Sequence, residues 1–297
     1  MIEQRLANDT LTNARIMAAP TSSGAPGLVA VVKLALRYEL DGGLHLASRG
    51  VRLTDVRDEA LGLVGPSDLA FEKGFTDLGV VGVADAPDTA REHVVGVRAG
   101  SLERAIRFVA RRGLGDVGTL RGPLPLALDP RLTIELASPF ERAGAASLGP
   151  VSEDEEPRRS RLGTFDEGWA RDRAPLPPRD RHPLADSWAQ DSLRAAQPWI
   201  RPEPIELIGV HAEQPRLTLR LPSFQPRIGW ELTEREHVST PALDGVLVDT
   251  RSRTVELTWR AGIPRPKKLA SVRRVHVSSA IDLPETVRTA QNLQPYG

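Results

Sequence analysis

The sequence predicts a mainly β protein, antiparallel and sandwich-like, with two β-rich halves joined by a small helical insertion. Three observations carry this fold class. Apolar residues recur at every second position over long stretches. The chain's 25 prolines and 25 glycines are spread along it at the interval of short strands joined by turns. Helical periodicity is confined to residues 164–200.

In chain order, Ala30, Val32, Leu34, Leu36, Tyr38 and Leu40 alternate with Val31, Lys33, Ala35, Arg37 and Glu39, which predicts a strand with one buried face. It ends at the hairpin signal Asp41-Gly42-Gly43. Val94 to Arg98 and Leu102 to Val109 flank the turn Ala99-Gly100-Ser101 and read as a second hairpin. Leu132, Ile134 and Leu136 form a further alternating run, as do Leu217, Leu219 and Leu221. Val246 to Asp249 meets Val255 to Trp259 across the polar turn Thr250 to Thr254, and Val272 to Val277 is the last run. The block Ser152-Glu153-Asp154-Glu155-Glu156-Pro157-Arg158-Arg159 is too polar to bury. It places a linker at 151–163 between a β-rich domain at 1–150 and a second at 164–297, the latter carrying the helical insertion at 164–200.

The insertion opens on Gly163-Thr164-Phe165-Asp166-Glu167-Gly168-Trp169. Thr164 and Glu167 have capping-box spacing, so Thr164 is expected to cap a short turn whose first residues include Asp166 and Glu167. The prolines from Pro175 to Pro178 forbid its continuation. One turn is not stable alone, so Phe165 and Trp169, four apart, are expected to clamp it to the body with Trp169 mostly buried. Pro183 to Ala196 is the other helical stretch, with Leu184, Trp188 and Leu193 on one face.

The same motif resembles a bacterial family known only as a domain of unknown function. The resemblance continues through Gln197-Pro198-Trp199-Ile200, Pro204-Ile205-Glu206-Leu207, Leu217 to Pro222 and Val255 to Arg260. It covers residues 160–277, with Val31-Val32-Lys33 and Ser67-Asp68-Leu69-Ala70 as matching points in the N-terminal half. Members of that family are encoded beside the spike and PAAR-like proteins of type VI secretion systems. The resemblance therefore implies an adaptor or chaperone that binds a PAAR-like-domain toxin effector and delivers it to the trimeric spike.

Composition narrows the alternatives. Lysine plus arginine and aspartate plus glutamate both number 39, and no basic patch with interleaved aromatics occurs, which argues against a nucleic-acid partner. With no cysteine, disulfides, thiol nucleophiles and cysteine-ligated metals are excluded. Met1 to Arg5 lacks the pattern of a secretory signal and no apolar run approaches a membrane span, so cytoplasmic residence without membrane insertion is expected. The six histidines lack metalloprotease spacing; structural roles are expected for His211 and His276 beside strands. Gly113 to Gly118 departs from the dinucleotide pattern and reads as a turn. Asp166 and Glu167, adjacent on a helix, point about 100° apart, which is poor geometry for a glycosidase pair. Neither catalytic nor metal or cofactor-binding residues are expected.

All five tryptophans lie in the C-terminal half. Trp259 alternates with Val255 and Leu257 and is expected in the core. Trp199 and Trp230 stand beside prolines or turns, leaving an interface role and a structural one equally open. As partner-binding residues these two favour the adaptor. A carbohydrate-binding or carbohydrate-processing β-sandwich, with Trp199 or Trp230 stacking on a sugar ring, is the alternative.

Overall fold

The computed structural model describes residues 6–20, 26–47, 73–87, 90–109, 112–113, 116–117, 120, 124–126, 148–150, 158–174, 176–266 and 271–288. Upstream of residue 150 the strands are β1 Leu6–Asn8, β2 Asn13–Pro20, β3 Pro26–Tyr38, β4 Leu44–Leu46, β5 Asp77–Val81, β6 Val83–Ala84, β7 Glu92–Ala99, β8 Leu102–Val109, β9 Arg112–Gly113, β10 Asp116–Val117 and β11 Leu124–Pro125. Downstream they are β12 Ile205–Ile208, β13 Arg216–Leu219, β14 Gln225–Leu232, β15 Glu236–Ser239, β16 Leu243–Asp249, β17 Thr254–Pro264 and β18 Val272–Ile281. Among the described residues, three short helices, α1 Arg158–Arg161, α2 Glu167–Asp172 and α3 Glu285–Arg288, accompany a 3-10 turn at Asp191–Leu193. The fold is mainly β, as the alternation predicts.

Three larger sheets dominate. The central one runs β2-β3-β17-β16-β5, with β4 also on β3; a second runs β13-β12-β7-β8 and a third β1-β18-β14-β15. Pairing is antiparallel throughout these sheets except for β1 with β18 and β5 with β16. Both predicted hairpins form: Val95 faces Ile106 across β7 and β8, and Val246 faces Leu257 across β16 and β17. The short strands β9 and β10, within and beside the glycine-rich run, pair antiparallel. The predicted strand at Leu132 to Leu136 lies outside the described residues.

Each large sheet takes strands from both sides of residues 151–163, so the two β-rich halves are interleaved by hydrogen bonds. The joining pairs are β3 with β17, β5 with β16, β7 with β12, and β1 with β18. A single apolar cluster runs through all three sheets, from Leu34 and Leu257 through Val97 and Leu207 to Trp230 and Val275. Strand β3 departs from its predicted single buried face. Val31, Lys33 and Ala35 on the other face are buried too, and Lys33 meets Glu256 at 2.8 Å. A central strand covered on both sides does not need polar alternation.

Helices are less confined than the periodicity predicts. α1 and α3 lie outside 164–200, each four residues long and too short to show a period. Conversely, residues 183–196 form no helix beyond the 3-10 turn, although Trp188 and Leu193 are buried and Leu184 half-buried. Isolated turn bonds, such as the Ser187 N–H to the Leu184 carbonyl at 3.0 Å, are joined by tertiary ones: the Ala195 N–H donates to the Thr76 carbonyl at 2.9 Å, and the Trp188 N–H to Asp77 Oδ2 at 3.1 Å.

Candidate functional site

The capping motif forms two residues later than its spacing suggests. Asp166, not Thr164, is the N-cap of α2, its carboxylate accepting from the Trp169 N–H at 2.7 Å. Glu167 occupies the first turn. Thr164 turns outward to Asp180: its N–H donates to both carboxylate oxygens at 3.1 Å and its hydroxyl to Oδ2 at 2.7 Å. Those bonds hold the Asp180 carboxyl below its ordinary range, the Thr164 hydroxyl contributing most. Gly163, at φ +88°, makes this closure possible, since a Cβ there would lie 2.9 Å from Asp180 Oδ1 and from Pro178. Asp180 thus outcompetes Glu167 for Thr164.

Trp169 is half-buried, and Phe165 is 55 % exposed. Their rings stack edge to face at 4.8 Å, and the indole N–H donates to the Leu176 carbonyl at 2.8 Å. The turn is stabilised by its own returning proline segment rather than by the core.

Downstream, residues 181–199 are fastened to the central sheet by a buried polar cluster absent from the sequence-level expectations. Lys73 and Asp77 pair at 2.7 Å with both side chains fully buried. Asp77 also accepts from the Ser187 hydroxyl at 2.8 Å. The Trp188 ring lies over two glycines: a Cβ on Gly79 would come within 2.6 Å of it, and one on Gly245 within 3.6 Å. Lys73 Nζ stands 5.4 Å from that ring's centroid. A register shift in β16 between Leu243 and Gly245 leaves Asp244 without a cross-strand partner on β17, and its carboxylate pairs with buried Arg260. Burial pushes the Asp244 carboxyl up against the opposing charges of Arg260 and Lys73. Burial raises Asp186 as well, with Arg181 opposing. Within it, Asp77 makes the contacts to the segment, through the Ser187 hydroxyl and the Trp188 N–H.

What the cluster holds up is a surface. Thr76 accepts the Trp199 N–H at 2.8 Å, and the Leu243 N–H donates to the Trp199 carbonyl at 3.1 Å. Trp199 is half-buried against the core, while Ile200 beside it is 78 % exposed. The other expected anchor is overturned: Trp230 is 0 % exposed, because its position on β14 alternates with Gly229 and Glu231 and faces inward with Ile228. It can serve neither as a partner anchor nor as a sugar platform. Trp259 is buried as expected, edge to face with Phe224 at 5.4 Å. The signal for Ile200 was in the sequence, in an isolated isoleucine between Trp199 and Arg201 with no alternation around it.

A second accessible feature is a groove of about 380 Å³ on the outer face of the third sheet, lined by Arg227, Gly229, Glu231, Glu236, Val238 and Arg274 among others. His276 borders it and meets Asp9 at 2.5 Å. His211 is internal, its Nε2 3.0 Å from the Tyr38 hydroxyl. Burial, then the Arg253 charge, lowers its pKa, and burial raises that of Tyr38. Both shifts favour the uncharged forms, a neutral imidazole hydrogen-bonded to a protonated phenol. Among the described residues no group of three histidine or carboxylate side chains is placed to hold a metal ion, and no helix is long and apolar enough to cross a membrane.

Residues 114–260 match the family described as an uncharacterized protein conserved in bacteria, DUF2169. This stretch is therefore similar to a bacterial domain of unknown function. It contains α2, the fastened segment 181–199, Trp199 and Ile200, and the strands from β12 to most of β17. No curated protein and no solved structure matches the chain.

Proposed function

We propose that this protein is a non-enzymatic adaptor that binds a toxin effector carrying a PAAR-like domain and assists its loading onto the trimeric spike of a type VI secretion system. The observation that supports the reading most is the pair Trp199 and Ile200. A large exposed aliphatic side chain sits beside a half-buried tryptophan, on backbone tied to Thr76 and Leu243. Aromatic and aliphatic anchors on a rigid support lose little entropy on binding, which is how a few residues come to dominate an interface. A spike-tip domain keeps an apolar mating surface until it is seated, and a folded partner covering that surface suppresses aggregation. The resemblance of residues 160–277 supplies the partner's identity.

Co-expression of the effector with and without this protein tests the reading. The effector is expected to be more soluble, to co-purify with this protein and to reach its spike only in its presence. Equal solubility and equal loading without it, or turnover of a sugar substrate that is lost on mutating a carboxylate pair, defeats the adaptor.

A further inference from the structure

We propose that the outer edge of the third sheet is a second docking site, taking an extended segment of a protein partner that pairs with β15 and carries a basic residue and a large apolar residue two positions apart. The proposal rests on the reading that this protein holds another protein, and it has its own observation in the cross-strand rows of the sheet. Residues directly opposite one another share a face. One row reads Arg274, Glu231, Glu236 across β18, β14 and β15; the next reads His276, Gly229, Val238.

The first row is electrostatically incomplete. Glu231 has a cation on one side and an acid on the other, and like charges directly opposite are unfavourable. Glu236 ends the row, exposed, with no ion pair among the described residues. A basic residue on a fifth strand would continue the row with alternating charge. The second row is sterically incomplete. A Cβ on Gly229 would meet only the His276 carbonyl oxygen, at 3.8 Å, so the space over the glycine is open. Val238 beside it is 46 % exposed. A large apolar or aromatic side chain opposite Val238 would cover that valine and lean over the glycine, the arrangement by which an aromatic neighbour shields a strand glycine.

Among the described residues β15 is the outermost strand of its sheet, so its outward N–H and C=O groups have no ladder partner there. Strand addition supplies that ladder, while the row side chains set specificity. Because the two vacant positions lie on one face, their spacing in the added strand is two residues whichever way it runs.

The probes are nine-residue, end-blocked peptides of threonine with Lys-Thr-Phe, Glu-Thr-Phe or Lys-Thr-Ala at the centre, titrated into the full chain by fluorescence polarisation. The wild type is expected to bind the Lys-Thr-Phe peptide up to about fivefold more tightly than the Glu-Thr-Phe peptide, the upper range for one cross-strand pair. Glu236→Lys is expected to invert that order. Gly229→Phe is expected to erase the preference for phenylalanine over alanine, and unfolding midpoints verify that both variants fold. No saturable binding of any peptide, or affinities indifferent to both substitutions, overturns the proposal. An effector that still co-purifies with both variants while the peptides fail removes this edge and leaves the adaptor. Peptide binding as expected, with no effector retained by the wild type, does the reverse.

Discussion

Asp166 and Thr164 show how local chemistry divides between two positions that the sequence merges. The caps at the start of α2 are shifted because Asp180, brought back by the prolines, binds the Thr164 hydroxyl and N–H together. Replacing Asp166 with alanine is therefore expected to cost about 1 kcal/mol in denaturant titration. Thr164→Ala is expected to cost less, since it retains the backbone bond to an exposed carboxylate. A larger loss for Thr164 than for Asp166 contradicts the shifted cap. His211 gives the residue-scale pH dependence. Its pKa is lowered in the fold from an ordinary value of about 6.5, so the folded state binds fewer protons than the unfolded one. Its contribution to stability is complete above that ordinary value and is lost as pH falls from about 6.5 through the lowered folded value. The drop in unfolding midpoint on acidification through that range is expected to be smaller in His211→Gln, and an unchanged slope contradicts the assignment.

At the scale of elements, the segment 181–199 has little regular structure of its own and owes its placement to Asp77. One carboxylate receives Lys73, the Ser187 hydroxyl and the Trp188 N–H. Asp77→Ala strands a buried ammonium and two donors, and the expected loss is about 3–5 kcal/mol. Early proteolytic cleavage within 181–199 should accompany it. A loss under 1 kcal/mol with unchanged cleavage would falsify the fastening role. This element also marks the limit of legibility in the sequence. Alternation disclosed the β7–β8 and β16–β17 hairpins because a period of two reports which side faces the core. It misread β3, where both faces are covered, and residues 183–196, where buried Trp188 and Leu193 mimic a helical face without one. Asp244 and Arg260 lie 16 residues apart in apolar strands, and only the bulge in β16 brings their charges together. Such pairs are set by tertiary register, for which sequence spacing carries no signal.

For the whole molecule, interleaved sheets mean that the surface and its support are one cooperative structure. β17 joins β3 while β12 joins β7, so strands of the family-matched stretch pair with strands upstream of it. Perturbing a core tryptophan should consequently act everywhere, and perturbing an anchor should act only on binding. Trp230, 0 % exposed, and Trp199, half-buried beside exposed Ile200, supply that contrast. Trp230→Ala is expected to destabilise the fold by about 3–5 kcal/mol, because an aromatic removed from a close-packed core leaves a cavity. Ile200→Ser is expected to leave the unfolding midpoint unchanged. If Ile200 with Trp199 forms the centre of the effector interface, truncating a true anchor weakens binding by roughly 2 kcal/mol or more. Ile200→Ser tests that without disturbing the core, and Trp199→Phe keeps an aromatic ring at the position while removing part of the indole. Calorimetric titration of each variant with the co-expressed effector, alongside its unfolding midpoint, separates the two effects. Undiminished affinity in both variants places the interface elsewhere; affinity lost only in proportion to stability assigns Trp199 to packing.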